Sequence, residues 1–275
     1  MHCNNCGFEL RATDHYCPNC GQSVTSGRDR SFAHLMRASF VEVASVDSRL
    51  WRSLRALFSK PGFLSREYQL GRRRRFLSPI GIFLLANLLY FLAPPISDLQ
   101  LTLEQQYKLQ FYRGWITGWV DGYIADTGST FEAVARHYEL RIAELAKLMV
   151  ILHVPLLALF SMLAFVDKRL YFADHVVLAF HYFAFLMLYL ITTSAIVYTA
   201  FWAAPALVRL TMPYLATIVV LAQFLYVPPM LKRAMAVTWW RAILMTPLFI
   251  VGLFVAHTLY RFIQFVVGFS LVTLS

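Results

Sequence analysis

The chain has 275 residues, of which 59% are hydrophobic and 15% charged, and its formal net charge is +10. Ordinary soluble domains are about half apolar and about a quarter charged, so this composition excludes a soluble globular protein and predicts an integral membrane protein. The first twenty residues are polar and hold every cysteine, a pattern that does not fit a secretory signal peptide and that predicts a cytosolic N-terminus.

The four cysteines lie in Cys3-Asn4-Asn5-Cys6-Gly7 and Cys17-Pro18-Asn19-Cys20-Gly21. In a CxxCG knuckle a tight turn aims two thiolates at one metal, and the glycine takes the positive φ that faces backbone N–H groups toward sulfur. Two knuckles make Cys3, Cys6, Cys17 and Cys20 a closed tetrahedral set, which predicts a zinc ribbon over residues 1–22, or iron in a rubredoxin-like variant. Catalytic zinc keeps a position open for water, so the expected zinc is structural. A pair of disulfides would need an oxidising compartment, against the cytosolic placement of this end.

After a polar stretch at 22–30, residues 31–76 read as cytoplasmic basic amphipathic helices. A helix is expected over 31–59, with Asp47 or Ser48 capping its second part and Lys60-Pro61-Gly62 stopping it. Leu50, Trp51, Leu54, Leu57 and Phe58 share one side of that part, while Arg49, Arg52 and Arg55 recur on another. Such a helix suits the plane of the inner leaflet, although packing on the protein's own surface would bury the same face. The run Arg72-Arg73-Arg74-Arg75 then reads as a junction with anionic headgroups, each residue worth about 1 kcal/mol at the membrane surface. No recognition helix or stacking platform accompanies it, so no nucleic-acid partner is read.

Residues 77–275 form the expected transmembrane domain. Five apolar stretches, 77–96, 145–166, 176–202, 212–231 and 243–260, reach or approach the roughly 20 residues that a bilayer core requires. With the N-terminus inside, 18 Lys and Arg fall on the cytoplasmic side and six on the other, with Lys147 at a boundary. The asymmetry supports this orientation, and five spans then predict a periplasmic C-terminus.

The segment 97–144, with seven acids and four bases, is the sizeable extracytoplasmic part. Tyr107, Phe111, Trp115, Trp119 and Tyr123 recur every four residues and predict one aromatic stripe on one helix, suited to interfacial anchoring. Asp126-Thr127-Gly128 should break that helix. Ser129-Thr130-Phe131-Glu132 reads as a capping box, from which a new helix runs into the second span.

Polar groups in hydrocarbon are costly and are functional candidates by default. Here they are Asn87, His153, His181, Gln223 and His257. The spacing places His181, Gln223 and Asn87 in the inner half, and Asp174 and His181 on nearly one helix face, with His175 beside Asp174. These five, Asn87, Asp174, His175, His181 and Gln223, are the candidate intramembrane polar site. A bis-histidine haem needs two imidazoles on facing helices, and no such pair is evident in the sequence.

The knuckle Tyr16-Cys17-Pro18-Asn19-Cys20-Gly21-Gln22, then Lys60-Pro61-Gly62, Tyr68, Gly71, Arg72 and Arg73 before Pro79, and the span bearing His181 together resemble a bacterial zinc-ribbon membrane family, the domain of unknown function 3667. The resemblance covers roughly residues 1–90 and 165–190. It implies an inner-membrane location and a zinc ribbon, and implies no activity.

The resulting expectation is an all-α multi-pass membrane bundle of about five transmembrane helices, with a small N-terminal zinc ribbon and an extracytoplasmic helical insertion. Its role is expected to be non-enzymatic, the ribbon serving as a docking or sensing module for a cytoplasmic protein partner and the spans lying in the lipid bilayer of the bacterial inner membrane. The alternatives are a small transporter or channel, for which Pro155, Pro213, Pro228 and Pro229 could unwind spans around a site, and an intramembrane enzyme using His181 with Asp174 and His175.

Overall fold

The computed structural model describes residues 1–24, 48–92, 101–203 and 215–274. The chain folds as two compact units, one of Met1–Pro95 with Leu157–Gly252, the other of Ile96–Leu156 with Leu253–Ser275. Apart from two isolated antiparallel bridges, His2 with Glu9 and Tyr16 with Ser23, the described regular structure is helical.

The first unit opens with the helices α1 (Ser48–Ser59), α2 (Phe63–Gln69) and α3 (Pro79–Leu92). The expected helix over 31–47 and the cap at Asp47 lie outside the described residues, and Ser48 is the first helical residue of α1 rather than its cap. The apolar side of α1 is divided. Ala56 and Leu57 are buried, and Phe58 sets its ring edge-on to Phe185 at 5.4 Å, whereas Trp51 is 74% exposed. The chain stops at Lys60-Pro61-Gly62 as expected. Gly62 has φ 77°, and a Cβ there would collide with the Met230 carbonyl, so the turn needs glycine for both conformation and space. Helix α3 opens with Pro79 at its first position. Ser78 caps it, Oγ accepting from Gly81 N at 3.1 Å.

The second unit contains α4 (Leu103–Leu109), α5 (Arg113–Thr127) and α6 (Phe131–Met149). The aromatic stripe is therefore not on one helix. The chain breaks at 110–112 because Gln110, extended and buried, turns its amide inward to accept from Arg261 at 3.4 Å. The rings nevertheless keep their rhythm against the last helix. Phe111 meets Phe254 at 5.9 Å, Trp115 meets Phe262 at 5.9 Å, Trp119 meets Phe265 at 6.0 Å and Tyr123 meets Phe269 at 5.8 Å. Their outer faces stay open, with Phe111 83% exposed, as amphipathic anchoring would require.

Helix α5 ends at Gly128, and the next cap falls one residue later than the sequence pattern suggests. Thr130 rather than Ser129 is the N-cap, accepting from Ala133 N at 3.3 Å, so Glu132 is displaced from the reciprocal position of a box. A full capping box forms instead at Thr102 and Gln105.

Helix α6 leads through a 3₁₀ turn, Val150–Leu152, into α7 (His153–Ala164). The turn tightens just before Pro155, which has no N–H to offer the preceding carbonyls. Then follow α8 (Phe172–Ala203), α9 (Leu215–Ala234) and α10 (Trp239–Thr273). Pro228 and Pro229 lie within α9, and Pro247 within α10, so the expected unwinding at 228–229 is not seen; Pro213 lies outside the described residues.

Among the described residues, three stretches are long and apolar enough to cross a membrane: Leu145–Ala164, Phe172–Ala203 and Trp239–Thr273. The last extends well beyond the expected 243–260. Arg261 does not end it, because the guanidinium finds Gln110 and no Gly or Pro breaks the chain from Leu253 to Thr273 except Gly268, which packs against Tyr138. The expected spans 77–96 and 212–231 coincide with α3 and α9 where described, and their ends at 93–96 and 212–214 lie outside the described residues.

Candidate functional site

The ribbon is built from two copies of one hairpin. In the first, Gly7 N donates to Cys3 O at 2.8 Å; in the second, Gly21 N donates to Cys17 O at 2.7 Å, and both glycines have positive φ. These turns bring Cys3 Sγ to 3.7 Å from Cys20 Sγ and Cys6 Sγ to 3.6 Å from Cys17 Sγ, with all four sulfurs within 4.8 Å of one another. Thiolates about 2.3 Å from a central ion at tetrahedral corners stand about 3.8 Å apart, so the four atoms fit one metal ion. Cys3 and Cys17 are buried with Leu10, and that is nearly all the apolar core the ribbon has.

The thiols are unlike one another. Burial pushes Cys17 up to about 11, against opposing backbone hydrogen bonds. At Cys20 burial also raises the value, but hydrogen bonds from Gln22, Asn5, Cys6 and Cys17 outweigh it and bring the thiol down to about 6. Metal binding displaces the remaining protons.

The same turns that carry the ligands grip the basic junction. Gln22 donates from Nε2 to the Gly71 carbonyl and accepts from Arg73 N at 3.3 Å. Arg74 Nε donates to the Cys20 carbonyl at 3.1 Å, and a Cβ on Gly21 would stand 2.6 Å from the Arg74 guanidinium. Arg73 lies over the Tyr68 ring at 4.2 Å, and Arg72 reaches Glu67 at 3.2 Å. Three of the four arginines that the sequence suggested for headgroups thus also have partners within the chain.

The candidate intramembrane residues are dispersed. His181 Nδ1 bonds Ser65 Oγ at 2.9 Å, and His175 Nδ1 bonds Ser161 Oγ at 2.9 Å. Asp174 accepts from Tyr171 N at 3.0 Å and so closes the first turn of α8. Gln223 accepts from the Tyr182 hydroxyl at 3.1 Å, and Asn87 lies half-buried on α3. His181, Ser65, Lys60, Gly62, Tyr226 and Met230 line a cavity with room for about one water molecule; Asn87 and Gln223 do not line it.

The second unit holds a buried polar core that the sequence did not disclose. Gln106 donates to the Arg261 carbonyl at 3.2 Å and accepts from the Tyr112 hydroxyl at 3.0 Å, and Gln264 donates to the Tyr260 hydroxyl at 3.1 Å. Burial pushes the Tyr112 phenol up to about 12 and raises that of Tyr138 as well, so both stay neutral. His153 Nε2 lies 3.0 Å from His257 Nδ1, which corrects the expectation that the membrane histidines offer no pair. The two are 104 residues apart, and no spacing rule could have joined them.

No curated protein and no solved structure matches this chain. Residues 47–91, from α1 through most of α3, match a family model described as a protein of unknown function (DUF3667). This segment, which includes Gly62, Ser65 and the arginine run, is similar to that family.

Proposed function

We propose that the protein is a non-enzymatic, multi-pass protein of the bacterial inner membrane whose four-cysteine module holds a structural zinc ion and serves as a cytoplasmic docking or sensing module. In this reading five helices cross the bilayer, α3 and α9 joining the three longer stretches. The N-terminus and the arginine run lie in the cytoplasm, and the C-terminus lies in the periplasm.

The observation that carries it is the double use of the knuckle turns. The Cys20 carbonyl and Gln22, held in place by the cysteine site, also bind Gly71, Arg73 and Arg74 immediately before the membrane. A ribbon with so small an apolar core owes its order to metal, so loss of the metal loosens the clamp. Four thiolates around zinc carry a net charge of about −2, which suits the guanidinium of Arg74 nearby. Transport or His-dependent catalysis would require Asn87, His181 and Gln223 to share a solvated site, whereas His181 and Gln223 bond different neighbours.

Metal analysis of the purified full-length protein tests the first half: stoichiometric zinc is expected, and Cys17→Ser should lose it. Site-specific cross-linking from Tyr16 in cells tests the second. One protein captured by the wild type and lost in Cys17→Ser supports docking; an identical set of products from both removes it.

A further inference from the structure

Helix α1 carries three arginines and no acid, and its sides face different surroundings. Ser53, Ala56 and Leu57 are buried within its own unit. Ser53 Oγ accepts from Leu77 N at 2.9 Å just before α3, and the Leu57 carbonyl accepts from the Tyr226 hydroxyl of α9 at 3.0 Å. Trp51 and Phe58, seven residues apart, fall on one strip of the outward side and are 74% and 42% exposed. Exposed Arg55 lies one turn after Trp51, and exposed Arg52 lies one turn before Arg55, so the cations border the aromatic strip.

The depth of this helix follows from its contact with α8, in the reading that α8 crosses the bilayer. Phe58 sets its ring against Phe185 at 5.4 Å. Helix α8 has 32 residues and exceeds a hydrocarbon core of about 30 Å by about 18 Å. Phe185 stands about 20 Å along it from Phe172, so it lies in hydrocarbon wherever that excess falls. The C-terminal end of α1 therefore stands at the bilayer, and its exposed aromatic strip borders lipid rather than bulk water.

We propose that the outward side of α1 is a docking surface for anionic phospholipid, Trp51 and Phe58 entering the acyl boundary while Arg52 and Arg55 hold headgroup phosphates. It rests on the membrane reading above and not on the docking role of the ribbon. A zwitterionic headgroup balances its phosphate with its own ammonium, so cations without an acid on their helix favour lipids of net negative charge. The guanidinium fork suits this use, because it gives two parallel hydrogen bonds to one phosphate. Arg52 donates to the Ser48 hydroxyl at 2.8 Å and to the Ser48 carbonyl at 3.2 Å. These bonds engage two of its five donors, which steadies the side chain without filling it. An acidic protein would meet the arginines but leave the aromatic strip unmatched at that depth.

The test is ¹⁹F nuclear magnetic resonance of full-length protein carrying 5-fluorotryptophan in lipid nanodiscs, the Trp51 signal being the one lost in Trp51→Phe. Phosphatidylglycerol and phosphatidylcholine, spin-labelled at the same acyl position, are added in turn at equal mole fraction. Phosphatidylglycerol should broaden Trp51 about threefold or more over phosphatidylcholine, and Arg52→Gln with Arg55→Gln should make the two lipids equal. Trp240, exposed at the start of α10, reports the membrane reading and should broaden with either lipid in both proteins. Broadening of Trp240 with none at Trp51, or equal broadening of wild-type Trp51 by the two lipids, overturns the proposal alone. A preference for phosphatidylglycerol that survives in the double variant also overturns it. Absence of broadening at Trp240 overturns the membrane reading and the proposal with it.

Discussion

The ribbon and the first half of α8 are held by opposite means. Residues 1–24 bury Cys3, Leu10 and Cys17 and little else that is apolar, so their order rests on four sulfurs meeting at one point. In α8 the side chains from Asp174 to Phe185 are buried without a break, and the helix is enclosed on every side by its own unit. One region is ordered on condition that a ligand is present; the other is ordered by packing alone. In the proposed reading the first is the part that responds to the cytosol, through the junction it grips.

The comparison breaks most severely at the cysteines. Structural zinc contributes an apparent 10–16 kcal/mol or so to small finger modules, so Cys17→Ser or chelation should unfold the ribbon outright and leave α8 intact. Circular dichroism should then keep its helical signal while proton resonances of residues 1–24 collapse.

Within the packed region the largest expected loss is at His181. His181→Ala leaves a void beside the small cavity and strips Ser65 of its partner, a cost of about 2–4 kcal/mol read as a lower unfolding midpoint in detergent. Gly62→Ala forces a left-handed residue against the Met230 carbonyl and should cost about 2 kcal/mol or more, without changing metal content.

The smallest effect belongs to Asp167, whose carboxylate takes both Nη1 and Nη2 of Arg241 at 2.7 and 2.5 Å. The hydrogen bond from Arg241 holds the Asp167 carboxyl below its ordinary value. Its stabilisation is therefore present above about pH 4, the ordinary aspartate value, and fades as pH falls through the lower folded one. Half-exposed and screened by solvent, the pair contributes little. Asp167→Asn should lower the midpoint slightly at neutral pH and match the wild type in acid.

What could be read from the sequence was local. The cysteine spacing specified a four-sulfur site because each knuckle closes within five residues, and hydropathy located the three long apolar stretches because burial in lipid needs only composition. The stop at Lys60-Pro61-Gly62 was legible for the same reason. The partners were not. Ser65 with His181 and His153 with His257 join residues more than a hundred positions apart, and the break at 110–112 depends on Arg261 from the last helix. The arginine run was legible only in part: charge beside a span predicts lipid contact, and no local pattern shows that Gln22 and the Cys20 carbonyl also bind that stretch.

The most direct test of the metal-dependent clamp is the rate of tryptic cleavage within Arg72–Arg75 in full-length protein reconstituted in nanodiscs. Zinc-loaded protein should be cut slowly there, and chelation or Cys17→Ser should speed cleavage by about tenfold or more, while sites in the long helices stay protected. Equal rates with and without metal would contradict the account.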